Sequence, residues 1–199
     1  MAAFLPILCL AFAFLLGSIP FGLVIARTFK GIDPRKAGSG NIGSTNVARL
    51  CGLPWGLLTL FCDIMKGLLP VLLATCLLDS PFLQSMTALA AVIGHVKTPF
   101  LGFKGGKGVA TTIGALIPLA FVPLLCAVLC CVAVIAVTRY VSLGSMVMAT
   151  ALIVAYAVAG RYDLLPLAVI LWVMILWAHR ANIGRLLRGE ESKFLASGK

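Results

Sequence analysis

Acidic side chains are scarce in this chain: six Asp and Glu stand against sixteen Lys and Arg in 199 residues, and charged residues make up only 11%. A soluble domain carries about 25%. With 61% hydrophobic residues and a mean hydropathy of +1.11, the shortage of charge excludes a soluble globular protein and predicts an integral membrane one. Histidine is rarer still, with His95 and His179 alone, and no C-x-x-C occurs, so neither a zinc site nor a disulfide framework is indicated. Six of the seven cysteines (9, 62, 76, 126, 130 and 131, with Cys51 the exception) lie inside apolar runs, where they act as small hydrophobes. No basic amphipathic stripe with interleaved aromatics is present, so the formal charge of +10 does not point to nucleic acid. No Rossmann fingerprint follows a strand, and neither a cofactor nor a metal is expected.

What fills the chain is a series of apolar runs at 4–26, 53–78, 82–96, 109–122, 124–138, 142–160 and 164–179. A spanning helix needs about 20 residues at a rise of about 1.5 Å each. Residues 1–27 lack a basic n-region and an obvious cleavage site, and read as a first transmembrane helix rather than a signal peptide. The stretch 109–138 is long for one span and short for two, with Pro118 and Pro123 marking a bend. Charge arbitrates. With seven crossings and the N-terminus outside, segments 27–52, 97–108, 139–141 and 180–199 share the cytosolic side and hold every Lys and Arg except Lys66 and Arg161. Six crossings would put Arg139 and the basic tail on the far side. The expected architecture is an all-α bundle of about seven transmembrane helices forming one domain over 1–199, with the C-terminus and its glycine-rich loops in the cytosol.

Residues 94–112, GHVKTPFLGFKGGKGVATT, break the apolar pattern with glycine and lysine. Glycines at 105, 106 and 108 let backbone N–H groups approach an anion, and Lys104 and Lys107 supply charge. A helix starting after Gly108 would aim its first turn, near Thr111 and Thr112, at the same anion. This is not a nucleotide P-loop: in G-x-x-x-x-G-K-[ST], Leu101 replaces the first glycine and Gly108 the hydroxyl residue. A second anion loop is predicted at 38–49, GSGNIGSTNVAR, where glycines, amides and hydroxyls surround a pocket and Arg49 can grip phosphate bidentately. Asp63 and Lys66, three apart within an apolar run, are expected to pair, as a structural or a catalytic unit. Arg139-Tyr140-Val141-Ser142 forms a third cytosolic corner, and His179 and Asn182 share a helix face at a fourth.

Three motifs, GSGNIGSTNVAR at 38–49, GHVKTPFLGFKGGKGVAT at 94–111 and HRANIGRLLRGEE at 179–191, with RYVSL at 139–143, make the sequence resemble the acyl-phosphate:glycerol-3-phosphate acyltransferases of the PlsY type. Departures are small: Val-Lys follows His95 in place of an apolar pair, and Ala181 stands where the family usually has Glu. The resemblance implies transfer of a fatty acyl group from acyl phosphate to the 1-hydroxyl of sn-glycerol 3-phosphate, giving lysophosphatidic acid and phosphate, at the cytosolic face of a bacterial inner membrane. It assigns Ser39, Asn41, Arg49, His179 and Asn182 to glycerol 3-phosphate, and Thr45, Lys104, Gly105, Gly106, Lys107, Gly108, Thr111 and Ser142 to the acyl phosphate. Ser39, Arg49, Lys104, His179 and Asn182 are the expected catalytic set. Membrane lipid and a soluble enzyme that makes acyl phosphate are the partners it suggests.

The His-x-x-x-x-Asp pattern of other glycerolipid acyltransferases is missing, because Phe100 and Gly184 stand at the Asp positions. The proton acceptor stays open among the donor's phosphate, a water and His179. Ser39 fails G-x-S-x-G because Ala37 precedes it by two, so direct attack is expected rather than an acyl-enzyme. A transporter or exchanger for a phosphorylated anion is the competing reading; it lacks support from midplane loops or an internal repeat.

Overall fold

The computed structural model describes residues 4–194, and within them every regular element is helical. The N-terminal Met and Lys199, placed outside and in the cytosol by charge, lie outside the described residues. The chain falls into two compact units, Met1–Leu119 and Ala120–Lys199.

The first unit opens with α1 (Leu5–Ser18) and α2 (Phe21–Lys30), parted at Ile19-Pro20. Pro20 has no N–H to continue the ladder, so nearby carbonyls need other donors. Thr98 Oγ1 donates to Ser18 O at 2.6 Å, and Lys66 Nζ donates to Ile19 O at 2.7 Å. A loop leads to α3 (Ser44–Cys51), then the 25-residue α4 (Leu53–Leu77), α5 (Pro81–Val96) and, after the glycine loop, α6 (Val109–Leu116). Helix α1 packs on α5, and α3, α5 and α6 all pack on α4.

Among helices in lipid, close packing replaces hydrophobic drive, and small residues permit it. Gly67 and Gly114 show why: a Cβ on Gly67 would strike the Thr111 carbonyl, and one on Gly114 the Ile64 carbonyl. Thus α4 and α6 touch backbone to backbone. The other end of α4 carries α3 in the same way, with Gly56 against Ala48. Eleven residues separate Gly56 from Gly67, or roughly 16 Å along the axis.

The second unit comprises α7 (Phe121–Thr138), α8 (Val141–Val158), α9 (Leu165–Ala178) and α10 (Arg180–Leu187). Arg139 caps α7 in the left-handed region at φ 61°, turning the chain into α8. Leu129, Val132, Val154 and Val173 are exposed, as side chains facing hydrocarbon should be.

Four segments are long and apolar enough to cross a membrane: Leu5–Lys30, Leu53–Leu77, Phe121–Thr138 and Val141–Val158. A fifth results if Tyr162–Ala178 and Arg180–Leu187, bent by 59°, count as one. The predicted run 109–138 is divided unequally. Helix α6 has eight residues, about 12 Å, against a hydrocarbon core of about 30 Å, whereas α7 has eighteen. Helix α5, at sixteen residues, also falls short of the usual length.

Candidate active site

The first anion loop is shaped by one buried amide. Asn46, 2% exposed in α3, donates through Nδ2 to Pro34 O at 3.0 Å, Ala37 O at 3.2 Å and Asn41 O at 2.9 Å, and accepts from Ser39 N at 2.9 Å. These bonds wrap residues 34–41 around one side chain. Gly38, at φ +60°, lies so close that a Cβ would meet Asn46 Oδ1. Asn41 Oδ1 accepts from Gly43 N at 2.9 Å, an Asx turn that starts α3. Ser39 and Arg49 are exposed, and Thr45 is half-buried in the first turn of α3. Nearby, Asp33 holds both Arg27 and Arg35 at 2.7 Å. Hydrogen bonds from Arg35 above all keep its carboxyl far below the usual carboxylate range.

The glycine loop hangs from the end of α5. Gly105 N donates to Val96 O at 3.0 Å and Gly106 N to His95 O at 3.1 Å. Those two N–H groups, expected to face an anion, are therefore engaged by the chain itself. Donors left for an anion at this end are the first-turn amides of α6, which starts after Gly108 at φ 87°. Lys104 is exposed and Lys107 half-buried. Thr111 and Thr112 are fully buried, and their hydroxyls have no hydrogen-bond partner among the described residues.

In the second unit Ser142 and Asn182 meet on a group that the sequence did not single out. Glu191 Oε1 accepts from Ser142 Oγ at 2.7 Å and from Asn182 Nδ2 at 2.5 Å, and Oε2 accepts from Arg185 Nε at 2.7 Å. His179 sits at the break between α9 and α10, only 2% exposed, with Nδ1 2.8 Å from Ile175 O. A carbonyl can only accept, so Nδ1 carries the hydrogen and the tautomer is fixed.

Burial would raise the Glu191 pKa, but hydrogen bonds from Ser142, Asn182 and Arg185 together outweigh it and leave the group below its ordinary 4.5. A depressed carboxylate contributes stability above the unfolded pKa and loses it as pH falls through the folded one. Hydrogen exchange at 189–194, corrected for intrinsic rate, is therefore expected to be slow at pH 7 and to quicken below about 4.5. Glu191→Gln should abolish that pH dependence; a variant that keeps it would show that another group is titrating.

The profile of the family described as glycerol-3-phosphate acyltransferase matches residues 7–189. The chain belongs to that family. A glycerol-3-phosphate acyltransferase of Desulfovibrio desulfuricans is 54% identical over 193 residues, covering 97% of this chain and 86% of the relative. One from Lawsonia intracellularis is 50% identical, covering 90% of each. The crystal structure of PlsY (YgiH), an integral membrane glycerol 3-phosphate acyltransferase, in its glycerol 3-phosphate form, superposes with a TM-score of 0.91 at 41% identity over 95% of both chains. Its lysophosphatidic acid form gives 0.88 at 40% identity over 94% of both.

Within this acyltransferase framework the nominated residues form local groups: Ser39, Asn41, Thr45 and Arg49 around the first loop, Lys104–Gly108 and Thr111 at the second, and Ser142 with Asn182 on Glu191. Sequence reasoning missed Asn46 and Glu191, which hold those groups in place. It placed Asp63 and Lys66 together, and their ion pair is 2.8 Å long and buried. It did not bring His95 to them, although His95 Nδ1 lies 3.7 Å from Asp63 Oδ1. Among the described residues no cluster of His, Cys, Asp and Glu could hold a metal ion.

Proposed function

We propose that this member of the family transfers a fatty acyl group from acyl phosphate to the 1-hydroxyl of sn-glycerol 3-phosphate, releasing phosphate and lysophosphatidic acid. Residues 1–199 work as one transmembrane acyltransferase domain in the bacterial inner membrane, at the first acylation of phospholipid synthesis. The observation that carries this reading is the 41% identical neighbour solved in a glycerol 3-phosphate form, with a second form holding lysophosphatidic acid. The phosphate-type loops of this chain suit an acceptor and a donor that both carry phosphate, and the apolar bundle suits an acyl tail. Reconstituted protein given labelled glycerol 3-phosphate and acyl phosphate is expected to form labelled lysophosphatidic acid with one phosphate per turnover. Counterflow of glycerol 3-phosphate without any lipid product would overturn the assignment in favour of an exchanger.

Ser39, Asn41, Arg49, His179 and Asn182 serve the acceptor's phosphate and glycerol backbone. Thr45, Lys104, Gly105, Gly106, Lys107, Gly108, Thr111 and Ser142 serve the donor, the glycines by shaping the loop. The acceptor hydroxyl oxygen bonds to the acyl carbon, the bond from that carbon to the phosphate oxygen breaks, and the hydroxyl proton ends on phosphate. Acyl phosphate is already an activated mixed anhydride, so the protein need only align the substrates and offset charge on the departing phosphate through Lys104, Lys107 and first-turn amides of α6. No acyl-enzyme is required. Incubation with acyl phosphate alone should leave the intact mass unchanged. A protein that gains an acyl group and passes it to later-added glycerol 3-phosphate would replace this mechanism with a covalent one.

Segments 27–52, 97–108, 139–141 and 180–199 face the cytosol in this proposal, with the N-terminus outside and seven crossings, of which α6 supplies a partial one. A soluble enzyme that makes acyl phosphate is the partner proposed for this face. Single cysteines introduced at 41 and 193 in a cysteine-free background are expected to react with an impermeant thiol reagent from the same side. Labelling from opposite sides would break the topology.

A further inference from the structure

Asp63, Lys66 and His95 are 2%, 2% and 4% exposed, and no step of the proposed reaction uses them. Burying charge in an apolar bundle is costly, on the order of 2.5–3.5 kcal/mol per residue on insertion scales, so such groups need a reason to be there. Lys66 answers two demands at once: its Nζ lies 2.8 Å from Asp63 Oδ1 and donates to Ile19 O, beside Pro20. Asp63 in turn faces His95, whose Nδ1 is 3.7 Å away and has no hydrogen-bond partner among the described residues. The opposite edge of the same ring abuts Gly106, where an added Cβ would collide with His95 Nε2. The backbone of His95 completes the grip, because its carbonyl accepts from Gly106 N at 3.1 Å. Gly106 is thus held by the carbonyl and the ring of a single residue, and that ring is backed by an ion pair anchored on the α1–α2 break.

We propose that Asp63, Lys66 and His95 are positioning residues: a buried strut that sets the Gly105–Gly108 loop at the height needed for the phosphate of the acyl donor. The inference rests on the assignment of that loop to acyl phosphate. His95 Nδ1 faces Asp63 Oδ1 at 3.7 Å, so the ring is placed between the ion pair and the loop. A small displacement of a binding loop can lower rates by as much as about a hundredfold, so the strut acts on catalysis without touching substrate.

The test compares Asp63→Asn, His95→Ala, Gly106→Ala and the His95→Ala/Gly106→Ala double variant, all reconstituted, with KM for each substrate, kcat and amide exchange at residues 104–108. Each single variant is expected to raise the acyl-phosphate KM about tenfold or more, to leave the glycerol 3-phosphate KM within about twofold, and to quicken exchange at Gly105 and Gly106. The double variant should be no worse than the poorer single one, because the methyl added at position 106 takes space the ring has vacated. Fold-changes that multiply in the double variant, equal rises in both KM values, or an Asp63→Asn protein with unchanged acyl-phosphate KM and exchange would each overturn the strut. If Asp63→Asn does not fold, the 95/106 cycle decides alone. A wild-type protein that makes no lipid from acyl phosphate removes the functional reading, while the exchange measurements still test the mechanical link.

Discussion

Replacing Asn46 with leucine is expected to lower turnover at least about a hundredfold while the helices remain inserted and folded. Leucine shares asparagine's branched heavy-atom skeleton, though its methyl groups are bulkier, and it suits an α-helix, so α3 itself should tolerate the change. The loop should not. Its path from Pro34 to Asn41 is set by four hydrogen bonds to one side chain, and leucine takes that partner from the Pro34 and Asn41 carbonyls and the Ser39 N–H, while Ala37 O keeps only its bond from Gly40 N. An unsatisfied buried polar group costs about 1–3 kcal/mol, so the segment will rearrange towards water rather than keep its shape. Ser39 and Asn41 then leave the positions proposed for the acceptor's phosphate. Asn46→Asp should do no better, because a carboxylate keeps the acceptor for Ser39 N but opposes three carbonyl oxygens. Turnover, with circular dichroism as the check on folding, decides the matter: an Asn46→Leu enzyme within about fivefold of wild type would mean the loop is held by something else.

That result would also mark where sequence reading stops. Apolar runs marked the long helices, because hydrocarbon excludes charge and unpaired backbone wherever the segment lies. The Asp63–Lys66 pair was legible because i,i+3 spacing on a helix fixes neighbours without any tertiary knowledge. Asn46 was not, although it lies inside a quoted motif. Its role depends on the loop's path through space, and in the sequence it is one donor among several between Gly38 and Arg49. Glu191 reaches Ser142 across 49 residues, and Asp63 reaches His95 across 32; no local pattern encodes either approach. The glycine loop illustrates a subtler limit. Its composition predicts N–H groups free for an anion, whereas Gly105 and Gly106 use theirs to hang the loop from α5. For Gly106, absence of a side chain serves the His95 ring as well as any ligand. The break at Pro20 was legible in principle, since proline interrupts the ladder, but the run 4–26 is so uniformly apolar that length alone concealed it.

Arg49→Lys is expected to raise the glycerol 3-phosphate KM roughly ten- to hundredfold and to leave the acyl-phosphate KM nearly unchanged. The chain has already committed two other guanidinium groups of this segment: Arg27 and Arg35 both bind Asp33. Arg49, by contrast, is exposed in the last turn of α3, with no ion pair among the described residues. It lies three positions after Asn46, so the helix that anchors the loop through its buried face also carries the arginine. A guanidinium offers two parallel N–H groups to two phosphate oxygens, a geometry fixed by its plane; an ammonium on a flexible stem keeps the charge but only as a point. The lost bond to a charged group is worth about 1.5–3 kcal/mol, which sets the fold-change above. Separate titration of the two substrates in the reconstituted variant reads it out. A rise confined to the acyl-phosphate KM would reverse the assignment of the two loops, moving the acceptor to the glycine-rich segment and the donor to residues 38–49.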